Sequence, residues 1–275
     1  MLGKLLSYEW KDSWAVMLVL NLVVIAMSIF GAFGIDALKE QDFSIVNSFY
    51  SAIYVTIYAA GLFTLAIVTS IYFYIRFYKN LYTDQGYLMH TLPVSSHELI
   101  ASKLIIAAMW RVISYITIGV GLLIIFHEEF EWNDIVGVID DVLESERPLY
   151  AITALVLFIL IGLGYVLYSL LMGYAAISIG QMAKNKVWGA IGAFVGLRIL
   201  VRFFRGALSV ILMRTQINSR IIGPSFIYGY IPGLADLDSD NILVVLLCSV
   251  IVVYSVCIVF YAISNYMMKY RLNLE

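Results

Sequence analysis

Charged residues are scarce in this sequence: Lys, Arg, Asp and Glu make up 13% of the 275 residues, and apolar residues make up 62%. A soluble globular domain carries about 25% charged and about 45–50% apolar residues. The mean hydropathy is +0.91, and several apolar runs reach the ~20 residues that a helix needs to cross a bilayer. The composition therefore excludes an ordinary soluble domain and predicts an integral membrane protein.

Motifs that carry common enzyme chemistry are also missing. No lysine is followed by Ser or Thr, so the chain has no P-loop to bind nucleotide phosphates. His97-Glu98 lacks the second histidine of a zinc-protease motif, and the apolar segments contain no Ser, His and Asp set. Cys248 and Cys257 point to roughly opposite sides of one predicted helix and have no metal-binding spacing. We therefore expect no catalytic residue, cofactor or metal in this chain.

The apolar runs predict six membrane-spanning helices in one domain that covers residues 1–275. Helices are expected because backbone groups in lipid must bond internally, and no alternating pattern of a membrane barrel is present. The predicted spans are residues 13–35, 44–75, 99–126, 149–180, 187–213 and 242–268. The fold class that follows is an all-α integral membrane protein.

Residues 1–12 have the pattern of an amphipathic helix that lies in the headgroup layer. Leu2, Leu5, Leu6 and Trp10 share one helical face, and Lys4, Ser7 and Lys11 share the other. A signal peptide is disfavoured, because Glu9 and Asp12 interrupt the basic region and no small-residue cleavage site follows.

Basic residues set the expected orientation in a plasma membrane. Nine Lys or Arg residues fall on the side that holds both termini, against four on the other side. The nine are Lys4, Lys11, Arg76, Lys79, Lys103, Lys184, Lys186, Lys269 and Arg271; the four are Lys39, Arg147, Arg214 and Arg220. Because loops rich in Lys and Arg stay in the cytoplasm, both termini are predicted to be cytoplasmic.

Two of the outer segments have distinctive patterns. Residues 127–147, the acidic outer loop, carry many acidic residues with apolar residues at helical spacing between them. The acidic side chains either only keep this segment soluble or bind a cationic partner. Residues 214–241 combine apolar residues with Gly-Pro and Pro-Gly breaks. Since the latter segment is too apolar for a solvated loop and too broken for a span, it predicts a re-entrant pair of short helices before the last span.

The loop at residues 76–98 is the feature around which the chain is organised. It predicts a short amphipathic helix, a turn at Gly86, and a new start into the third span after Pro93. Ser95 and Glu98 have the S-x-x-E spacing of a capping box, in which each residue satisfies a backbone N–H at the start of a helix. An ordinary loop between two spans remains the plainer interpretation.

A resemblance to a known family rests on this loop, which reads Asp84-Gln-Gly-Tyr-Leu-Met-His-Thr-Leu-Pro-Val-Ser95, followed by Ser102-Lys103-Leu104. It resembles the cytoplasmic signature of ABC-2 type transporter permeases. The matching residues are Asp84, Gly86, Leu88, Pro93, Val94, Ser95 and Lys103. The sequence departs from the pattern at Asp84, where Glu is usual, and at Met89 and His90.

The resemblance implies a permease subunit that couples ATP hydrolysis by a separate ABC ATPase subunit to export of a peptide, drug or amphiphile. Two ATPase copies, a second permease copy or paralogue, and membrane lipids are the implied partners; ATP and Mg belong to the ATPase, and no nucleic acid is implied. The loop would be the coupling helix. Its candidate contact residues are Phe77, Tyr78, Leu81, Tyr82, Asp84, Gly86, Tyr87, Leu88 and Pro93.

Three arginines in the fifth predicted span, Arg198, Arg202 and Arg205, share one helical face. They either line a transport pathway or reach outer headgroups and carbonyls of the broken outer segment. Two further function classes stay open: a non-ABC transporter and a sensor or scaffold subunit. The predicted spans contain no Asp or Glu for ion coupling, which disfavours a secondary transporter.

Overall fold

A computed structural model describes residues 2–39, 45–83, 86, 94–126, 137, 148–214 and 239–270. Regular structure in these residues is α-helical. The long helices are α1 (Leu2–Lys39), α2 (Ile45–Tyr82), α3 (Ser96–Ile125), α4 (Pro148–Gly180), α5 (Lys186–Arg214) and α6 (Ser239–Tyr270).

All six helices are long and apolar enough to cross a membrane. The qualifying segments are Leu2–Phe33, Ala52–Tyr82, Ser96–Ile125, Pro148–Gly180, Lys186–Phe204 and Leu246–Tyr270. The predicted class, an all-helical multi-pass membrane protein with six spans, is confirmed to this extent.

The predicted boundary between residues 12 and 13 is wrong, because α1 is continuous from Leu2 onward. The Ser13 hydroxyl donates to the carbonyl oxygen of Glu9 at 2.8 Å, four residues back in the same helix. Ser13 therefore bonds within the helix and does not cap a new one, and residues 2–12 form the first turns of α1.

Helix α2 also runs past its predicted end at residue 75 and continues to Tyr82. No glycine or proline interrupts residues 76–82, and Phe77 and Leu81, one turn apart on the same face, are both fully buried. The segment predicted as a separate short helix is therefore, as far as Tyr82, the last two turns of α2.

The start of α3 follows the predicted capping box. The Ser95 hydroxyl accepts from the backbone N–H of Glu98 at 3.3 Å, and the Glu98 carboxylate accepts from the backbone N–H of Ser95 at 3.1 Å. Two helix-end donors are satisfied reciprocally, which ends the loop and begins the helix at a defined residue.

Contacts divide the chain into two compact units, a division that the sequence did not predict. Unit 1 comprises residues 1–77 and 93–143, so it contains α1, most of α2 and α3. Helices α1 and α3 run parallel, since Glu9 meets Lys103 near one end and Gly121 lies against Ser28 farther along. Helix α2 is antiparallel to both, because its Arg76 reaches the Glu9 end and its Tyr58 reaches Ser28.

Unit 2 comprises residues 78–92 and 144–275 and contains α4, α5 and α6. Gly164 lets α4 approach α6 closely, and the Cys257 thiol of α6 donates to the Gly164 carbonyl oxygen at 3.7 Å. At the C-terminal end of α4, Gly180 packs against the backbone of Ala190, which brings α4 and α5 close together in a helical hairpin.

Two predicted segments fall largely outside the described residues. They are the acidic outer loop, residues 127–147, and the re-entrant segment, residues 214–241. Both interpretations stay predictions.

Candidate functional site

A buried carboxylate lies at the centre of the polar contacts in unit 1. Glu9 of α1 accepts from Lys103 Nζ of α3 at 2.5 Å through Oε1. Through Oε2 it accepts from Arg76 Nε and Nη2 of α2, at 2.9 and 2.7 Å. The side chains of Glu9, Arg76 and Lys103 are 5%, 8% and 4% exposed. One carboxylate therefore joins all three helices of the unit.

A second carboxylate completes the group, which we call the Glu9 cluster: Glu9, Asp12, Arg76 and Lys103. Asp12 Oδ2 lies 2.9 Å from Arg76 Nη2, and its side chain is 62% exposed. Arg76 also donates to the Glu9 carbonyl oxygen at 3.1 Å and to the Tyr72 hydroxyl at 3.3 Å. Two cations and two anions balance, as burial requires.

Two tryptophans form a further contact between α1 and α3, within two turns of the cluster along each helix. Trp10 of α1 and Trp110 of α3 stack with ring centroids 4.7 Å apart and planes inclined by 11°. The Trp110 indole N–H donates to Ser13 Oγ at 3.1 Å. The stack holds α1 and α3 in register one to two turns from the Glu9–Lys103 ion pair.

The Glu9 cluster joins residues on either side of the stretch Asp84–Ser95, which carries the family resemblance. Arg76 precedes that stretch and Lys103 follows it, and both bind the same carboxylate. The two helices that flank the stretch are therefore joined through one buried carboxylate, and the capping box fixes where the second helix begins.

The predicted coupling residues fall into three groups. Phe77, Leu81 and Tyr82 are buried, so their side chains are not exposed to a partner in this structure. Tyr78 is half-buried, and Gly86 is buried with its N–H donating to the Thr83 carbonyl oxygen at 2.7 Å. The remaining four, Asp84, Tyr87, Leu88 and Pro93, lie outside the described residues.

Tyr82 supplies a polar contact within unit 2. Its hydroxyl lies 2.8 Å from Ser178 Oγ of α4, and Ser178 also donates to the Tyr174 carbonyl oxygen. The last turn of α2 is therefore bonded to α4. A Cβ at Gly86 would overlap the Leu81 carbonyl, so the turn after α2 needs glycine.

The arginine stripe on α5 lies in unit 2. Arg198 and Arg202 are exposed, and the Arg198 guanidinium lies 5.7 Å from the centroid of the Phe194 ring. The side chain of Arg205 is outside the description. The pathway prediction for these three residues stays a prediction.

Sequence reasoning missed Glu9 as a site residue. The predicted first span began at residue 13, so Glu9 was placed outside the membrane and was used only as evidence against a signal peptide. In the structure it lies within an apolar helix, which corrects the statement that no spanning segment holds an acid. The sequence did contain a signal for this site, because Glu9 lies on the same helical face as Leu2, Leu5 and Leu6. A single carboxylate on an apolar face needs a partner of opposite charge when that face is buried.

No metal site emerges from the described residues, in which no three His, Cys, Asp or Glu side chains are grouped suitably. Comparison of the chain with protein-family models, curated proteins and solved structures found no match.

Proposed function

We propose that the chain is the membrane-spanning permease subunit of an ATP-driven exporter of the ABC-2 type. The observation that carries the proposal is the stretch from Asp84 to Ser95, which resembles that family and is flanked by Arg76 and Lys103, two residues that bind the same carboxylate of Glu9. A separate ATPase subunit would dock on this loop. The transported substrate would be a peptide, drug or amphiphile, and a second permease copy or paralogue would complete the transporter.

The contacts around the loop suggest how coupling would work. A displacement of the loop would reach α1 and α3 through Lys103 and Glu9, and α4 through Tyr82 and Ser178. Because Phe77, Leu81 and Tyr82 are buried, we assign them to bracing the end of α2. Direct contact with the ATPase falls to the predicted residues beyond Thr83, above all Tyr87 and Leu88.

The proposed ATPase partnership is tested by co-expression. The purified chain alone should hydrolyse no ATP, and it should co-purify with the nucleotide-binding subunit of its own transporter. Tyr87→Ala and Leu88→Ala should each weaken this association, by ~2–4 kcal/mol if the side chain is fully packed in the complex. Asp140→Asn, in the acidic outer loop, is the control and should leave the association unchanged.

Two results would contradict the proposal. ATP hydrolysis by the chain alone is one. The other is wild-type ATPase association and transport in both loop variants, which would make the loop an ordinary connector and favour a non-ABC transporter or a scaffold subunit.

We further propose a plasma-membrane location with both termini in the cytoplasm, supported by the asymmetry of Lys and Arg. In whole cells, cysteines placed at Asn80 and Asn273 should react only with a membrane-permeant maleimide. A cysteine at Asp140 should also react with an impermeant reagent. Labelling of the Asp140 position from the inside alone would overturn this topology.

A further inference from the structure

A second polar group lies deeper in unit 1, about halfway along α3. Arg111 is 15 positions after Ser96, where α3 begins, or ~22 Å along the helix at 1.5 Å per residue. Its side chain is buried, and its guanidinium donates to Ser70 Oγ of α2. A guanidinium stays charged in a protein, so this depth calls for polar surroundings.

Three buried polar atoms in the same unit have no hydrogen-bond partner among the described residues: Asn21 Oδ1, Thr69 Oγ1 and Ser114 Oγ. These residues are 6%, 1% and 2% exposed, so bulk solvent does not reach them. An unpartnered buried polar atom costs ~1–3 kcal/mol. Three such atoms in one small apolar unit require an explanation.

The helix register places these atoms near the level of Arg111. Thr69 precedes Ser70, the Arg111 partner, and Ser114 is one turn after Arg111 on the same face of α3. Helices α1 and α3 are paired at Glu9–Lys103, Ser13–Trp110 and Ser28–Gly121. That register puts Met17 level with Arg111, and Asn21 level with Ser114. Buried polar groups of all three helices thus lie at a similar level in unit 1.

We propose that ordered water molecules occupy this region and bind Asn21, Thr69, Ser114 and Arg111. Water fits the mixed chemistry, because it donates to the amide oxygen of Asn21 and accepts from the guanidinium. The two hydroxyls can pair with it in either sense. Buried waters make about three hydrogen bonds each to polar groups that the protein leaves unsatisfied. An anion would pair with the guanidinium and the hydroxyls but would be repelled by Asn21 Oδ1.

Met17 provides a reporter in the wild-type protein. Its side chain is fully buried on α1, and its carbonyl oxygen accepts from Asn21 Nδ2 at 2.7 Å. X-ray radiolysis of a bound water produces a hydroxyl radical that reacts with the nearest side chain before it diffuses away. We expect Met17 to be oxidised several-fold faster than Met172, which is equally buried among apolar residues of α4. Equal, slow oxidation of the two methionines would show a dry interior and overturn the proposal.

Thr69→Val supplies an independent test through the sign of its effect. Valine has the shape of threonine without the hydroxyl, so at a dry site it removes an unsatisfied group and raises the melting temperature. At a hydrated site it removes a water ligand. We then expect a lower melting temperature and a several-fold slower oxidation of Met17. A higher melting temperature with unchanged Met17 oxidation would count against bound water.

Discussion

Replacing Glu9 with glutamine should destabilise the protein by ~3–5 kcal/mol, because it removes the only carboxylate that both Arg76 and Lys103 contact among the described residues. The geometry of the helices would change little, since glutamine has the same length. Lys103, however, would keep a buried charge without its anion. Thermal unfolding of the purified protein in detergent measures the loss as a lower melting temperature.

Asp12→Asn is the matched control for that substitution. Asp12 also contacts Arg76 and also loses one negative charge, but its side chain is 62% exposed. Exposed ion pairs contribute ~0.2–1 kcal/mol, so this variant should melt close to the wild type. Both variants remove one negative charge, so a difference between their melting temperatures reports the effect of burying that charge.

A double variant sharpens the test. Glu9→Gln combined with Lys103→Met removes one charge of each sign and leaves Arg76 paired with Asp12. Replacing a buried ion pair by apolar groups is often close to neutral, so the double variant should be more stable than Glu9→Gln alone. Two results would show that the Glu9 cluster does not hold the helices together. One is a wild-type melting temperature for Glu9→Gln. The other is a melting temperature of the double variant below those of both Glu9→Gln and Asp12→Asn.

Gly180→Ala should open the hairpin between α4 and α5. A Cβ at Gly180 would overlap the backbone N and Cα of Ala190, which cannot move aside as a flexible side chain would. Relieving the overlap requires one helix to shift, and overpacking of this kind costs ~1–3 kcal/mol. A lower melting temperature and faster proteolysis near Lys184 are the expected measurements.

Gly162→Ala is the control on the same helix. Among the described residues, no atom beyond the neighbouring backbone of its own helix lies within 4 Å of a Cβ at Gly162, and alanine favours a helix over glycine by ~1 kcal/mol. This variant should therefore be as stable as the wild type or slightly more stable. Equal effects of the two substitutions would mean that the close approach at Gly180 contributes nothing.

Local patterns were enough to predict much of the fold. Long apolar runs located all six helices, and the fourth was placed to within one residue of Pro148–Gly180. The S-x-x-E spacing predicted the capping box at Ser95 and Glu98. These features depend on residues close together in the chain, so a single sequence contains the information.

Helix ends without a local signal were predicted less well. The sequence suggested breaks before residue 13 and after residue 75, where polar residues interrupt the apolar pattern. Both helices continue, because Glu9 and Arg76 neutralise each other inside the protein and need not face solvent. Whether a charged residue ends a membrane span depends on its partner, and that partner is 67 positions away.

By itself, the sequence determined the class of protein, the number of spans, the capped start of α3 and the loop on which the proposed function rests. Only the tertiary structure decided that Glu9 binds Arg76 and Lys103, that Phe77, Leu81 and Tyr82 pack inward, and that Arg111 lies beside Ser70. The physical reason is that composition and periodicity report the average environment of a helix face. The pairing of individual charges depends on which helices are neighbours and in what register, and only the folded chain sets both.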